Sequence, residues 1–227
     1  MKQRIVILGA GGHAKVVGDA LQRSGYEVIG FLDDNLSLAS TALLDLPVLG
    51  PIDRAANLDV DGAIVGIGEN HVRAECCARL RTWGIPLVRA IHPSAIISAH
   101  ATLGEGVAVL EGAIIEAGAY IGENAIINAG AIVAHDCRVE NHVHIAIGSM
   151  LAGGVEIGEG TFLGAGSVVI PYKKVGEWSI VGAGAVVTTD LPARVTAVGV
   201  PARIIKQHEE SGAQLESGGT APATAPR

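Results

Sequence analysis

The sequence predicts two domains of different class: an α/β unit over residues 1–90 and an all-β parallel β-helix of hexapeptide repeats over 91–206, followed by a disordered tail at 207–227. Three observations carry this reading. Apolar, strand-like runs alternate with helical patterning at the start of the chain, and a glycine-rich turn joins the first run to the first helix. From Ile91 onward, aliphatic residues recur at every sixth position.

Composition agrees with such a core. The chain is 49% hydrophobic but only 3% aromatic, with 31 glycines, which favours many small, regular packing slots over a few large ones. Sixteen basic against twenty-three acidic residues leave a charge of −7, which argues against a nucleic-acid footprint. Cys76, Cys77 and Cys137 are odd in number and lack CxxC spacing, so no disulfide framework is expected. The opening MKQRIVILGAGG is too short an apolar run to span a membrane and shows no small-residue cleavage site. It reads as a buried first strand, and the expected compartment is the cytoplasm.

In the first domain, RIVILG (4–9) and VIGFL (28–32) read as strands flanking a helix that carries Ala14, Val17 and Leu21. GAIVGIG (62–68) reads as a third strand, with a helix near 70–83 and a last strand at PLVRAI (86–91). The turn Gly9-Ala10-Gly11-Gly12-His13-Ala14 has the G-x-G-x-x-A form of a Rossmann fingerprint, with Asp33 and Asp34 about twenty residues on. Amides at such a turn favour a phosphate, and the carboxylates suit a ribose. Alone this would suggest NAD, but some ninety residues make only half of a full dinucleotide fold. A purely structural turn is the other alternative.

The second domain keeps its register from Ile91 through Ile97, Leu103 and Val109 to Val187 in steps of six. Two positions before the stop the residue is usually small, as at Ala113, Ala131, Cys137, Ser149 or Ser179, and glycine often follows the stop, as at 104, 122 and 158. A period of six fits neither an α-helix nor an ordinary strand; it fits a parallel β-helix with one inward aliphatic per flat face. Lys173 stands in a slot that should be small, so PYKK (171–174) is expected to leave the coil, and its lysines could attract phosphates.

The densest chemistry lies in VAHDCRVENHVH (133–144). His135 falls two residues after the inward Val133, which points to a corner. Cys137 occupies the small inward slot and reads as a core thiol. His142 reads as a surface residue.

The hexapeptide run, the GAGGHAKVV head and GVPARIIK (199–206) together resemble the left-handed β-helix acyltransferases, in the branch of sialic-acid O-acetyltransferases and nucleotide-sugar N-acetyltransferases. The resemblance implies a left-handed superhelix of three hexapeptides per coil, and a homotrimer with active sites between subunits. In such a coil His135 stacks between Ala117 and Gly153, and His144 lies half a coil away, too far for both to bind one metal ion through bonds of about 2 Å. No metal is therefore expected. A zinc ion bridging two subunits, as in a carbonic-anhydrase-like β-helix, is the rival reading, alongside a non-catalytic assembly module.

The resemblance assigns His135 as general base and Asp136 as the carboxylate that supports it. It places acetyl-CoA, the expected co-substrate, against His144, Gly153, Ala165 and Ala183, with amides at Gly153 and Gly154 offered to the oxyanion. It assigns Gly11, Gly12, His13, Asp33, Asp34 and Gly68 to a nucleotide-linked amino sugar. The expected reaction is transfer of acetyl to the amine of a nucleotide-linked deoxysugar for a bacterial surface glycan. The alternative is O-acetylation of a sugar hydroxyl.

Overall fold

The computed structural model describes residues 2–39 and 41–209. The head is a five-stranded sheet of β1 (Arg4–Leu8), β2 (Glu27–Leu32), β3 (Ala42–Leu43), β4 (Leu46–Gly50) and β5 (Gly62–Val65), in the order β3-β4-β2-β1-β5. All pairs are parallel except β3 with β4. Side chains alternate across β1. Ile5 and Ile7 pack with Val17 and Leu21 of α1 (Gly12–Arg23), while Val6 and Leu8 pack with Cys76 and Leu80 of α2 (Asn70–Thr82). The two helices therefore cover opposite faces.

The sequence reading missed β3 and β4, which are short and interrupted by Pro47. It also overextended the last head strand. Within 86–91 only Leu87 bridges the head sheet, at Ala63, while Ala90–Ile91 already pairs with Ala108–Val109 as the first rung of the β-helix. The chain changes sheets within that single apolar run, and hydrophobicity alone does not mark the switch.

The β-helix has three flat faces. The first stacks two-residue strands from Ile96–Ile97 to Val186–Val187, the second from Thr102–Leu103 to Lys174–Val175, and the third from Ala90–Ile91 to Ile180–Val181. Each strand pairs in parallel with the one 18 residues on, as Ile114 with Ile132 and Ile132 with Met150. In each strand the second residue points inward: Ile115, Ile121, Ile127, Val133 and Val139 are all essentially buried. The last coil is shorter, since Ile180 pairs with Thr196, and Val195–Val198 then turns into an antiparallel strand, Arg203–Gln207. Gln207 is thus part of the fold, and of the expected tail, residues 210–227 lie outside the described residues.

The corner residues behave as their size demands. A Cβ at Gly158 would stand 2.5 Å from the Glu177 nitrogen of the next coil, so the coils close only around glycine. Buried hydroxyls in the small slots are satisfied internally: Ser149 Oγ donates to the Gly164 carbonyl at 2.8 Å and Thr161 Oγ1 to that of Gly176 at 2.7 Å. Contrary to expectation, PYKK stays in the coil. Lys174–Val175 pairs with Glu156–Ile157, and Lys174 forms an ion pair with Glu156 at 2.8 Å. The first apolar carbons of Lys173 are tolerated at the slot because the residue there is only half-buried.

Head and β-helix share one core, in which Ala14, Val17 and Leu21 of α1 meet Ala108, Leu110 and Ile126 of the coil. Ile121→Ala should lower unfolding free energy by about 2–4 kcal/mol through the cavity it leaves, while the exposed Thr102→Ala should change it by less than about 0.5 kcal/mol. Denaturant titration of both variants checks this.

Candidate functional site

His135 and Asp136 sit at the corner between the first and second faces, just after the strand Ile132–Val133. Asp136 adopts φ +58°, a left-handed conformation that aspartate tolerates better than most residues. This turn brings its Oδ2 to 2.9 Å from His135 Nδ1. A carboxylate accepts, so Nδ1 carries the hydrogen and Nε2 keeps its lone pair. The hydrogen bond that His135 donates to Asp136 raises the His135 pKa above 6.5, with Glu116 adding charge from the coil below. The Glu116 side chain also accepts from the His135 backbone N–H at 2.9 Å.

Two glycines make room for this pair. A Cβ at Gly153, one coil above, would lie 2.6 Å from His135 Nε2, and a Cβ at Gly118, one coil below, would lie 2.5 Å from Asp136 Oδ1. Gly118 escaped the sequence reading, although its 18-residue offset from Asp136 could have revealed it. Of the two amides offered to an oxyanion, that of Gly154 is already engaged by the His135 carbonyl at 3.0 Å, whereas Gly153 donates no backbone hydrogen bond among the described residues. Cys137 is buried with its thiol on the Ala152 carbonyl, and burial raises its pKa, as suits a core thiol.

The second group of expected residues gathers on the third face, beneath the head. His144 is 7% exposed and edge-on to Phe162, with ring centroids 5.1 Å apart. Asn128 Oδ1 accepts from Ala129 N–H at 2.8 Å, which turns its Nδ2 toward His144 Nε2 at 3.1 Å. The ring therefore accepts at Nε2 and donates from Nδ1 to the Gly68 carbonyl at 3.2 Å. His13 lies tilted against it at 5.8 Å, and its buried Nε2 has no hydrogen-bond partner among the described residues. Burial, then the charge of Arg73, lowers the pKa of His13 to about 4 and that of His144 to about 3.

His142 is half-buried rather than freely exposed on the surface. Its Nδ1 faces Asn124 Nδ2 at 3.0 Å, its carbonyl accepts from Arg73, and burial lowers its pKa. At φ +58° it turns the corner under α2, which a reading of residue type could not show.

In the head, Gly11 caps α1 with no side-chain hydrogen bond, no acidic residue stands in the first turn, and a Cβ at Gly11 or Gly12 would meet nothing. The first-turn amides are therefore open, whereas those of α2 are capped by Glu69. Asp33 braces this turn, accepting from Ala10 N–H at 2.8 Å and Asn35 N–H at 2.8 Å. Asp34 accepts from Ile52 N–H at 2.8 Å and remains exposed. Ala165 and Ala183 stack, exposed, on the corner between the third and first faces. One chain thus holds the dyad and the head cleft on different sides of the prism.

Among the described residues one cluster has ligand atoms close enough for a cation: Asp19, His92 and Glu111. Asp19 is already paired with Arg23 at 2.6 Å, and His92 Nδ1 accepts from Ser94 N–H at 3.1 Å. That donor set reads as a polar seam between α1 and the first coil.

A nucleotide-type head on a hexapeptide β-helix with an exposed His–Asp pair defines an acyltransferase class. Residues 4–80 match the model of the PglD N-terminal domain, and 88–186 that of the GMPPB C-terminal domain. The chain is 45% identical to a histidine variant of perosamine N-acetyltransferase from Caulobacter crescentus, solved with CoA and GDP-perosamine; the match covers 89% of this chain and 97% of that one, with TM-score 0.86. It is 33% identical to the acetyltransferase domain of PglB from Neisseria gonorrhoeae FA1090 in complex with acetyl coenzyme A, covering 90% and 100%, with TM-score 0.86. It is 38% identical over 119 residues to UDP-N-acetylbacillosamine N-acetyltransferase of Bacillus subtilis (strain 168), a match that spans 48% of this chain and only about half, 51%, of that relative. The chain belongs to this family of left-handed β-helix, acetyl-CoA-dependent nucleotide-sugar N-acetyltransferases.

His13 and His144 are held neutral in the fold but protonate near 6.5 when unfolded. Their contribution to stability is therefore full above pH 6.5 and declines as pH falls toward about 4 and 3. The melting temperature should fall across that window, and His144→Asn should flatten the slope in a pH series of thermal melts.

Proposed function

We propose that this protein acetylates the amine of a nucleotide-linked amino-deoxysugar, with His135 as general base and Asp136 as its support. The His135–Asp136 pair, exposed on a corner that Gly118 and Gly153 leave open, carries this reading. Nε2 takes the proton from the attacking amine, and the same proton then goes to the departing thiolate, so no covalent enzyme intermediate is needed. The Gly153 amide is the donor proposed for the oxyanion. The open amides of α1 receive the diphosphate beside Gly11, Gly12 and His13, with Asp33 and Asp34 toward the nucleoside and Gly68 beside the sugar. Acetyl-CoA runs over Ala165 and Ala183, and His144 backs that groove with its ring.

The separation of dyad and head within one chain supports a homotrimer in which His135 of one subunit serves the head of the next. The outward residues of the first face also support it: Ile96, Ile114, Ile132, Met150, Val168 and Val186 form an unbroken aliphatic stripe. The second face presents Thr102, Tyr120, Arg138, Glu156 and Lys174 instead. A continuous apolar face of this kind is an assembly surface. No described helix is long and apolar enough to cross a membrane, and we place the enzyme in the cytoplasm, serving a surface glycan.

Thiol release from acetyl-CoA, measured with nucleotide-linked amino sugars beside their hydroxyl analogues and the free sugars, tests the activity. Turnover confined to a nucleotide-linked amine is expected; turnover on hydroxyl or free sugars would move the enzyme to O-acetylation. His135→Ala should keep the assembly and lose at least about a hundredfold in turnover. Because Asp136 raises the His135 pKa, the acid limb of the rate profile should lie above pH 6.5 and move down in Asp136→Asn. Ile132→Glu should yield monomers by light scattering and abolish turnover.

A further inference from the structure

Arg73 is the largest fully buried side chain, 1% exposed, and it pairs with no carboxylate among the described residues. Its guanidinium reaches only backbone carbonyls. From α2 of the head, Nε donates to Asn124 O at 3.0 Å and Nη2 to His142 O at 2.6 Å, both on β-helix corners. Nη1 turns back to Ile67 O at 3.3 Å and Gly68 O at 3.1 Å in the head's own loop. The Gly68 carbonyl therefore receives two donors, Arg73 Nη1 and His144 Nδ1. Asn124 Nδ2 returns a bond to the Arg73 carbonyl at 3.2 Å.

We propose that Arg73 is a positioning residue of the acetyl transfer, whose planar fork sets the Gly68 loop of the head against His144 of the coil and thereby fixes how the acceptor is presented. The inference rests on the function proposed above, in which Gly68 lies beside the sugar. A buried cation without a counter-ion survives only if its hydrogen bonds are made, and three donor nitrogens on four carbonyls make them. Lysine carries the charge but not the fork. Burial lowers the Arg73 pKa only to about 10, so the group stays charged at neutral pH.

That charge has a second effect. Around it stand His13, His142 and His144, with Glu69 capping α2, Cys77 and Arg81 on α2, and Glu123 at the coil corner. The cation opposes protonation of all three imidazoles, which keeps His144 a neutral donor to Gly68.

Arg73→Lys and Arg73→Met separate the two effects. Both should raise KM for the nucleotide-linked amino sugar by at least about tenfold, the scale of one lost hydrogen bond to a charged group, with KM for acetyl-CoA little changed. By nitrogen NMR of the rings, the His13 and His144 titrations should stay low in Arg73→Lys and move upward in Arg73→Met. An unchanged acceptor KM in folded Arg73→Lys would overturn the proposal, as would unmoved titrations in folded Arg73→Met. If Arg73→Met does not fold, the KM of Arg73→Lys decides, and failure of both to fold would reduce Arg73 to a structural latch. A wild-type enzyme inactive on every nucleotide-linked amine would sink the proposed function instead, leaving the ring titrations to judge Arg73.

Discussion

The stacking of coils in an 18-residue register, kept until the shorter last coil, is the constraint on which the rest of this protein depends. Each inward aliphatic residue touches its equivalents directly above and below, so a narrow prism is filled without aromatic bulk. The same register dictates the outside, because every outward residue also has a neighbour above and below. His135 under Gly153 and Asp136 over Gly118 are consequences of that rule. The His135–Asp136 corner is a place where two coils give up their side chains so that the coil between them can project its own.

The second constraint is the joint between head and prism. It has an apolar part, where α1 lies against Ala108, Leu110 and Ile126, and a polar part, where Arg73 binds carbonyls of both domains. The apolar part supplies adhesion without much direction, whereas the polar part is directional. Such a joint suits an enzyme whose acceptor is held by one domain and whose transferred group is held by the other. It also explains why His144, although near the expected coenzyme path, is tied to the head by its Nδ1 and to its own coil by its Nε2.

The three faces divide the labour of the prism. The third face is sealed at its base by the head, the second is charged and suited to water, and the first is aliphatic over its whole height. Inward packing is indifferent to these differences, since any outward residue is compatible with the fold. The contrast between Met150 on one face and Glu156 on the next is therefore a record of what each face meets.

The sequence by itself determined the repeat, the inward residues, the small slots and the position of His135 on a corner, because those follow from a period that each hexapeptide states locally. It also determined the glycine turn and the strands on either side of α1. Only the tertiary structure decided the fate of 86–91, the coil position of PYKK and the half-burial of His142. Each of those depends on a neighbour distant in sequence: on Ala63 and Val109, on Ile157, and on Arg73 and Asn124. Arg73 is the clearest case. A lone arginine in a helix reads as a solvated charge, and only the fold brings four carbonyls from two domains around it.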